Sequence, residues 1–168
     1  MKRIVLMGFF SFISGLFPSS THSEPLISAL SEVQTHEIKV MSKQGKEIMV
    51  KYLGEKVSYT EDDIDQVVIK WRQSEKTNKE SPDELIGNLG AYLGELLIAN
   101  HDLAWCMYED ARGNDYCITH KKIVVHTFPH STVYKAAIEG REYAIKDVSN
   151  ALLEQINEHL DDPEIKTH

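Results

Sequence analysis

The sequence lacks the short motifs that usually announce a chemistry. It contains no Gly-x-Ser-x-Gly elbow, no His-Glu-x-x-His pair and no Walker loop, which sets aside the common serine-hydrolase, zinc-protease and nucleotide-phosphate signatures. Past its first residues it has no apolar run long enough to cross a bilayer, for which about 20 residues are needed. No internal repeat and no low-complexity segment is visible. Positive charge is scarce: 18 Lys and Arg stand against 26 Asp and Glu, a formal net charge of −8. Nucleic acid and anionic membrane surfaces are poor partners for such a chain, and a basic protein is an electrostatically favoured one. Cysteine is nearly absent too, with only Cys106 and Cys117.

What is present begins with a leader. Lys2 and Arg3 precede an apolar run over 4–17, which gives way to Pro18 and a polar stretch with small residues at Thr21 and Ser23. This is the anatomy of a secretory signal peptide cleaved after Ser23. The run is too short for a membrane anchor and is broken by Gly8, Gly15 and Pro18. No Cys follows it, so a lipid anchor is not indicated. The expected location is periplasmic or secreted, with no stable membrane insertion after cleavage. The leader carries two positive charges, so its removal moves the net charge to about −10. The remaining 24–168 is of a length expected for one α+β domain.

The rest of the chain is organised around 81–119. Ser81 is a good N-cap, Pro82 suits the first helical position and Glu84 completes a capping box. Leu85, Ile86, Leu89, Leu93, Leu96 and Leu97 then recur at helical spacing. Gly87, Gly90, Ala91 and Gly94 fall close together on the same cylinder, and each interior Gly costs roughly 1 kcal/mol against Ala. A neighbouring element packed against the backbone would repay that cost. After an exit at Asn100 and His101, strands over 103–108 and 115–119 flank Asp110-Ala111-Arg112-Gly113, a type I turn composition. If Asp110 faces Gly113, Cys106 faces Cys117 and Trp105 faces Ile118. Trp105, Met107, Tyr116 and Ile118 then share the face expected in the core, and Cys106, Tyr108, Cys117 and Thr119 share the other. In an oxidising compartment that register favours a cross-strand disulfide between Cys106 and Cys117, with two free thiols as the alternative.

Elsewhere the signals are uneven. Residues 24–33 read as a short helix, with Leu26, Ile27, Leu30 and Val33 on one side. Over 35–52 apolar residues alternate around Gln44-Gly45, and the preferred reading is two strands, although 46–54 would also serve as a helix ended by Gly. The stretch 60–74 is a clear helix: Thr60 caps it, Glu61, Asp62 and Asp63 suit its N-terminus, and Ile64, Val67, Val68 and Trp71 form its buried stripe. A polar linker follows over 73–80. A third strand is expected over 123–127, then a short helix capped by Ser131 or Thr132 and stopped by Gly140. Residues 142–145 either add a strand or lead into a last helix through Ile145, Val148, Leu152, Ile156 and Leu160. The tail over 161–168 is polar and expected to fray.

Leu89-Gly90-Ala91-Tyr92-Leu93-Gly94-Glu95, Trp105, Tyr108-Glu109-Asp110, Gly113-Asn114-Asp115, Phe128-Pro129, Val133 with Lys135, and Gly140 together carry a resemblance. The sequence resembles the bacterial domain of unknown function 3806 family over about 60–160. Cys106 and Cys117 lie outside the family pattern, and Ala136 stands where that pattern has a basic residue. The resemblance implies a fold and an exported or bacterial context, and no established activity.

The residues capable of chemistry are few. His120, His126 and His130, with Cys117, could be drawn as a zinc set, but their spacing matches no closed site, and neither a metal nor a cofactor is assigned. Thr132 and Lys135 have the spacing of a Ser-x-x-Lys nucleophile without its companions and read as a helix start. Glu95 and Asp110 are the acids to watch, the first more simply a hydrogen-bonding flank residue and the second a turn residue. No catalytic set is assigned. Tyr108 and His130 are expected to be exposed and are the candidate binding residues. The expected architecture is α+β, an antiparallel sheet of three to five strands with helices packed on one face. The expected function is non-catalytic: an exported envelope binding protein, immunity- or adaptor-like, with a basic protein partner. The alternative is a hydrolase or metal-dependent enzyme using Glu95, Asp110 or the three histidines.

Overall fold

A computed structural model describes residues 24–75, 77 and 79–161. The leader expected over 1–23 and the tail over 162–168 lie outside the described residues. In chain order the elements are β1 (Leu26–Ala29), α1 (Glu32–Leu53), α2 (Glu61–Gln73), α3 (Pro82–Asn100), β2 (Leu103–Asp110), β3 (Gly113–His120), β4 (His126–Thr127), α4 (Pro129–Ala137) and α5 (Ala144–Asp161). The four strands form an antiparallel sheet in the order β1-β2-β3-β4. The fold is α+β.

The central helix and hairpin follow the local signals. Ser81 accepts from the Glu84 N–H while the Glu84 carboxylate accepts from the Ser81 N–H at 2.9 Å, and Pro82 opens α3. Leu85, Leu89, Leu93 and Leu97 are buried, with Ile86 and Leu96 partly so. Cys106 stands opposite Cys117 and Trp105 opposite Ile118. The two cysteines are 4.9 Å apart at Cα and joined as a disulfide. Ile118 is fully buried on the Trp105 face, and the helices pack against that face. Trp105 lies on α3, the Tyr116 hydroxyl donates to Glu37 of α1 at 3.2 Å, and His130 of α4 contacts both rings.

Gly90 and Gly94 of α3 mark close crossings. A Cβ at Gly94 would overlap the Trp105 indole, and one at Gly90 would sit 2.8 Å from the His130 Cα. Gly45 plays the same part on α1, where a Cβ would come within 2.5 Å of the Asn88 carbonyl oxygen of α3. That crossing corrects the reading of 35–52. Gln44-Gly45 is no turn between two strands; it lies within one helix, with Ile38, Ser42, Gly45, Ile48 and Met49 buried at helical period. The expected alternative, a helix ended by Gly54, describes its C-terminal part, and Gly54 takes a positive φ of 86°.

Residues 24–33 are also corrected. Leu26–Ala29 is an edge strand, paired from Leu26 opposite Glu109 to Ala29 opposite Cys106, because unpaired hydrogen-bonding groups on β2 outweigh a weak local helix pattern. The helix starts one residue after Ser31, whose hydroxyl accepts from the Gln34 N–H at 3.2 Å while the Gln34 side chain accepts from the Ser31 N–H at 2.9 Å.

Two later elements differ in detail. The third strand shortens to His126–Thr127, because the Val125 N–H turns back to the Ile123 carbonyl. Phe128, not Ser131 or Thr132, is the N-cap of α4; Pro129 takes the first position and the Thr132 hydroxyl donates to the Phe128 carbonyl at 3.1 Å. Residues 142–145 lead into α5 and add no strand. Asp65 of α2, buried, accepts from the Ile145 and Lys146 N–H groups at 3.3 and 3.1 Å and so caps α5 from another helix. Burial holds its carboxyl above the usual range, against those two bonds.

Candidate functional site

The hairpin register fixes the site. Tyr108 stands opposite Asp115 and Asp110 opposite Gly113, all on the sheet face away from the helices. The turn is tied by Asp110, whose Oδ1 accepts from the Arg112 N–H at 2.8 Å and whose Oδ2 accepts from the guanidinium at 3.0 and 3.2 Å. Those bonds, the backbone one first, hold its carboxyl below the usual range. Asp110 thus starts the turn, and its oxygens are engaged.

On the same face three rings meet. Tyr108 and Phe128 pack edge to face at 5.1 Å, and His126 lies 5.6 Å from the first and 5.7 Å from the second. Past Phe128 the chain rounds the β3 edge, and Ser131 of α4 donates to Asp115 Oδ2 at 3.3 Å. Tyr108, Asp110, Arg112, Gly113, Asn114, Asp115, Phe128 and Ser131 line a cavity of about 330 Å³. Among the described residues the Tyr108 hydroxyl has no hydrogen-bond partner and Asp115 has no ion-pair partner.

His130 lies behind this wall and is half-buried rather than exposed as expected. Its ring sits 6.1 Å from Trp105 and 5.7 Å from Tyr116, against Gly90, and both ring nitrogens are buried without a hydrogen-bond partner. Burial pushes its pKa down, outweighing the Asp115 charge. Pro129 starts α4 early and puts His130 on its first turn, where the ring packs against Trp105 and Tyr116. Tyr108 is likewise half-buried, and it lines the cavity.

The other candidates are occupied in the fold. Glu95 accepts from the Trp105 indole N–H at 2.8 Å. His120 is buried and accepts at Nδ1 from the Lys122 N–H at 3.2 Å. Alternation along an unbroken strand would keep His120 and His126 on one face, but the turn between them puts His120 on the Trp105 face and His126 on the opposite one. With Cys117 in a disulfide, no group of three or more His, Cys, Asp or Glu among the described residues is placed to hold a metal ion. Thr132 is buried and Lys135 exposed, as a helix start requires.

A second groove, about 560 Å³, runs between α1 and α3 over Met41, Ile48 and Gly87. Its rim carries Glu47, Asp83, Glu84 and Glu80, the last in a 2.7 Å ion pair with Lys51. It collects none of the residues singled out for chemistry. Asp115, Phe128 and Ser131 were not identified as site residues from sequence, although Gly113-Asn114-Asp115 and Phe128-Pro129 belong to the stretches that carry the family resemblance.

A family model described as Domain of unknown function (DUF3806) matches residues 65–148, half of the chain. No curated protein and no solved structure matches it. Among the described residues no helix is long and apolar enough to cross a membrane.

Proposed function

The chain belongs to the domain of unknown function 3806 family, and from that premise we propose that it is an exported, non-catalytic binding protein of the bacterial envelope, immunity- or adaptor-like, that masks a basic partner. The observation that carries the reading is the fate of the acids and bases. Glu95 is held by Trp105, Asp110 by its turn, His120 by a backbone N–H, and His130 is enclosed by rings. What faces solvent is a cavity walled by Tyr108 and Phe128 with Asp115 on its edge, a recognition surface and not a nucleophile with its base. Export is supported by the leader and by the Cys106–Cys117 disulfide, since such bonds persist in oxidising compartments. The acidic balance of the chain supports a basic partner.

Native mass spectrometry of the protein recovered from its own cell envelope without reductant tests both halves. The expected mass is that of 24–168 less two hydrogens, with a basic protein attached at low salt and released at high salt. A full-length, reduced chain removes the export argument. Failure of the immobilised protein to retain any envelope protein at any ionic strength removes the binding argument.

A further inference from the structure

The hairpin-tip cavity combines a wall of rings with a half-buried acid that nothing neutralises. Asp115 accepts from the Ser131 hydroxyl, and no Lys or Arg pairs with it among the described residues. Arg112, at the rim, is committed to Asp110 by two guanidinium bonds. His130, which feels the Asp115 charge, has its ring nitrogens inside the protein, and burial favours its neutral form, which supplies no counter-charge. A partly desolvated carboxylate beside aromatic rings favours a cation, because the ring quadrupole and the carboxylate attract the same charge. Size narrows the ligand further. A cavity of about 330 Å³ lies at the low end for small-molecule sites and takes one long side chain, not a folded element.

The geometry points to this cavity as a receptor for one cationic side chain, lysine or arginine, presented by a basic partner protein, with Asp115 as counter-charge and Tyr108 and Phe128 as the wall. The inference rests on the binding reading above and names the group which that reading leaves open.

The test titrates acetyl-lysine methylamide and acetyl-arginine methylamide into the isotope-labelled protein from its own envelope, with diacetyl-lysine methylamide as the uncharged control. Amide shifts are expected at Tyr108, Gly113, Asn114 and Asp115 with the two cationic probes, weakening with salt, and none with the control. Asp115→Asn keeps an acceptor for Ser131 and is expected to weaken binding about tenfold. Phe128→Leu, on a different element, is expected to weaken it in the same direction, and an unchanged circular dichroism spectrum shows that each variant is folded. Equal binding of the uncharged control, shifts scattered over the acidic surface, or an unaffected Asp115→Asn overturns the inference. An envelope partner retained equally by Asp115→Asn overturns it while leaving the binding reading intact. Probe binding without any envelope partner supports the cavity and removes the wider reading.

Discussion

One substitution made twice on α3 should change sign with position. Gly→Ala in a helix interior is worth about 1 kcal/mol of favourable propensity. At Gly87 a Cβ would meet only the Met41 sulfur at 3.6 Å, an ordinary contact, so Gly87→Ala should stabilise by about 0.5–1 kcal/mol. At Gly94 the Cβ would overlap the Trp105 indole. That ring is pinned by its 2.8 Å bond to Glu95 and cannot retreat without losing it. Overpacking costs about 1–3 kcal/mol, and a hydrogen bond to a charged group contributes about 1.5–3. Set against the propensity gain, Gly94→Ala should destabilise by about 1.5–5 kcal/mol, lowering Tm by roughly 3–20 °C. Urea and thermal melts followed by circular dichroism measure both variants. A Trp105→Leu background should relieve the overlap, making the pair non-additive by about 1–2 kcal/mol. If Gly94→Ala proves as stable as the parent protein, α3 is not pressed against β2 and the packing account of its glycines fails.

Asp65→Ala should destabilise by about 2–3 kcal/mol in urea melts, because it leaves two α5 N–H groups without acceptors, and Asp65→Asn should cost about half as much. Replacing Cys106 and Cys117 together by Ala should cost about 3 kcal/mol, since the bridge joins residues 11 apart, and a denaturation midpoint unchanged by reductant would contradict this. His130 should make stability acid-sensitive. Its pKa is lowered in the fold, so the unfolded chain binds more protons as pH falls below about 6.5; the stability is complete above that and is lost towards the native pKa. Thermal melts from pH 7.5 to 5 should show a smaller loss for His130→Phe than for the parent protein, and equal slopes would acquit His130.

How much of this was legible before the structure depends on where each element gets its stability. Thr60 with Asp63 and Ser81 with Glu84 are local devices, and the helices they start are where the sequence places them. The hairpin register follows from a four-residue turn that Asp110 closes with its own side chain. By contrast, β1 exists only because β2 offers an edge, and its four residues carry no strand signal strong enough to compete with the apolar spacing of 26–33. Gly45 is the clearest misdirection. A glycine after Gln44 looks like a turn, yet it is there because the Asn88 carbonyl comes within 2.5 Å of its missing Cβ. The cavity was half legible: Tyr108 was named, but Asp115 and Ser131 meet only because the chain rounds the β3 edge, and no spacing rule reports that.

Asp65 ties the start of the matched segment to its last helix. Residue 65, where the match begins, is the buried Asp that caps α5, and the match ends at 148, one turn into the helix so capped. The matched segment is therefore closed on itself by its own ends, and it contains α3, the hairpin, α4 and every residue lining the hairpin-tip cavity. β1 and α1 lie before it. They still do work that the segment cannot do alone, because α1 covers α3 at Gly45 and reaches the sheet through Glu37, while β1 occupies the outer edge of β2. None of their residues lines the cavity. Changes to the exposed faces of β1 and α1 should thus act on stability and edge protection and leave the lining of the hairpin-tip cavity in place.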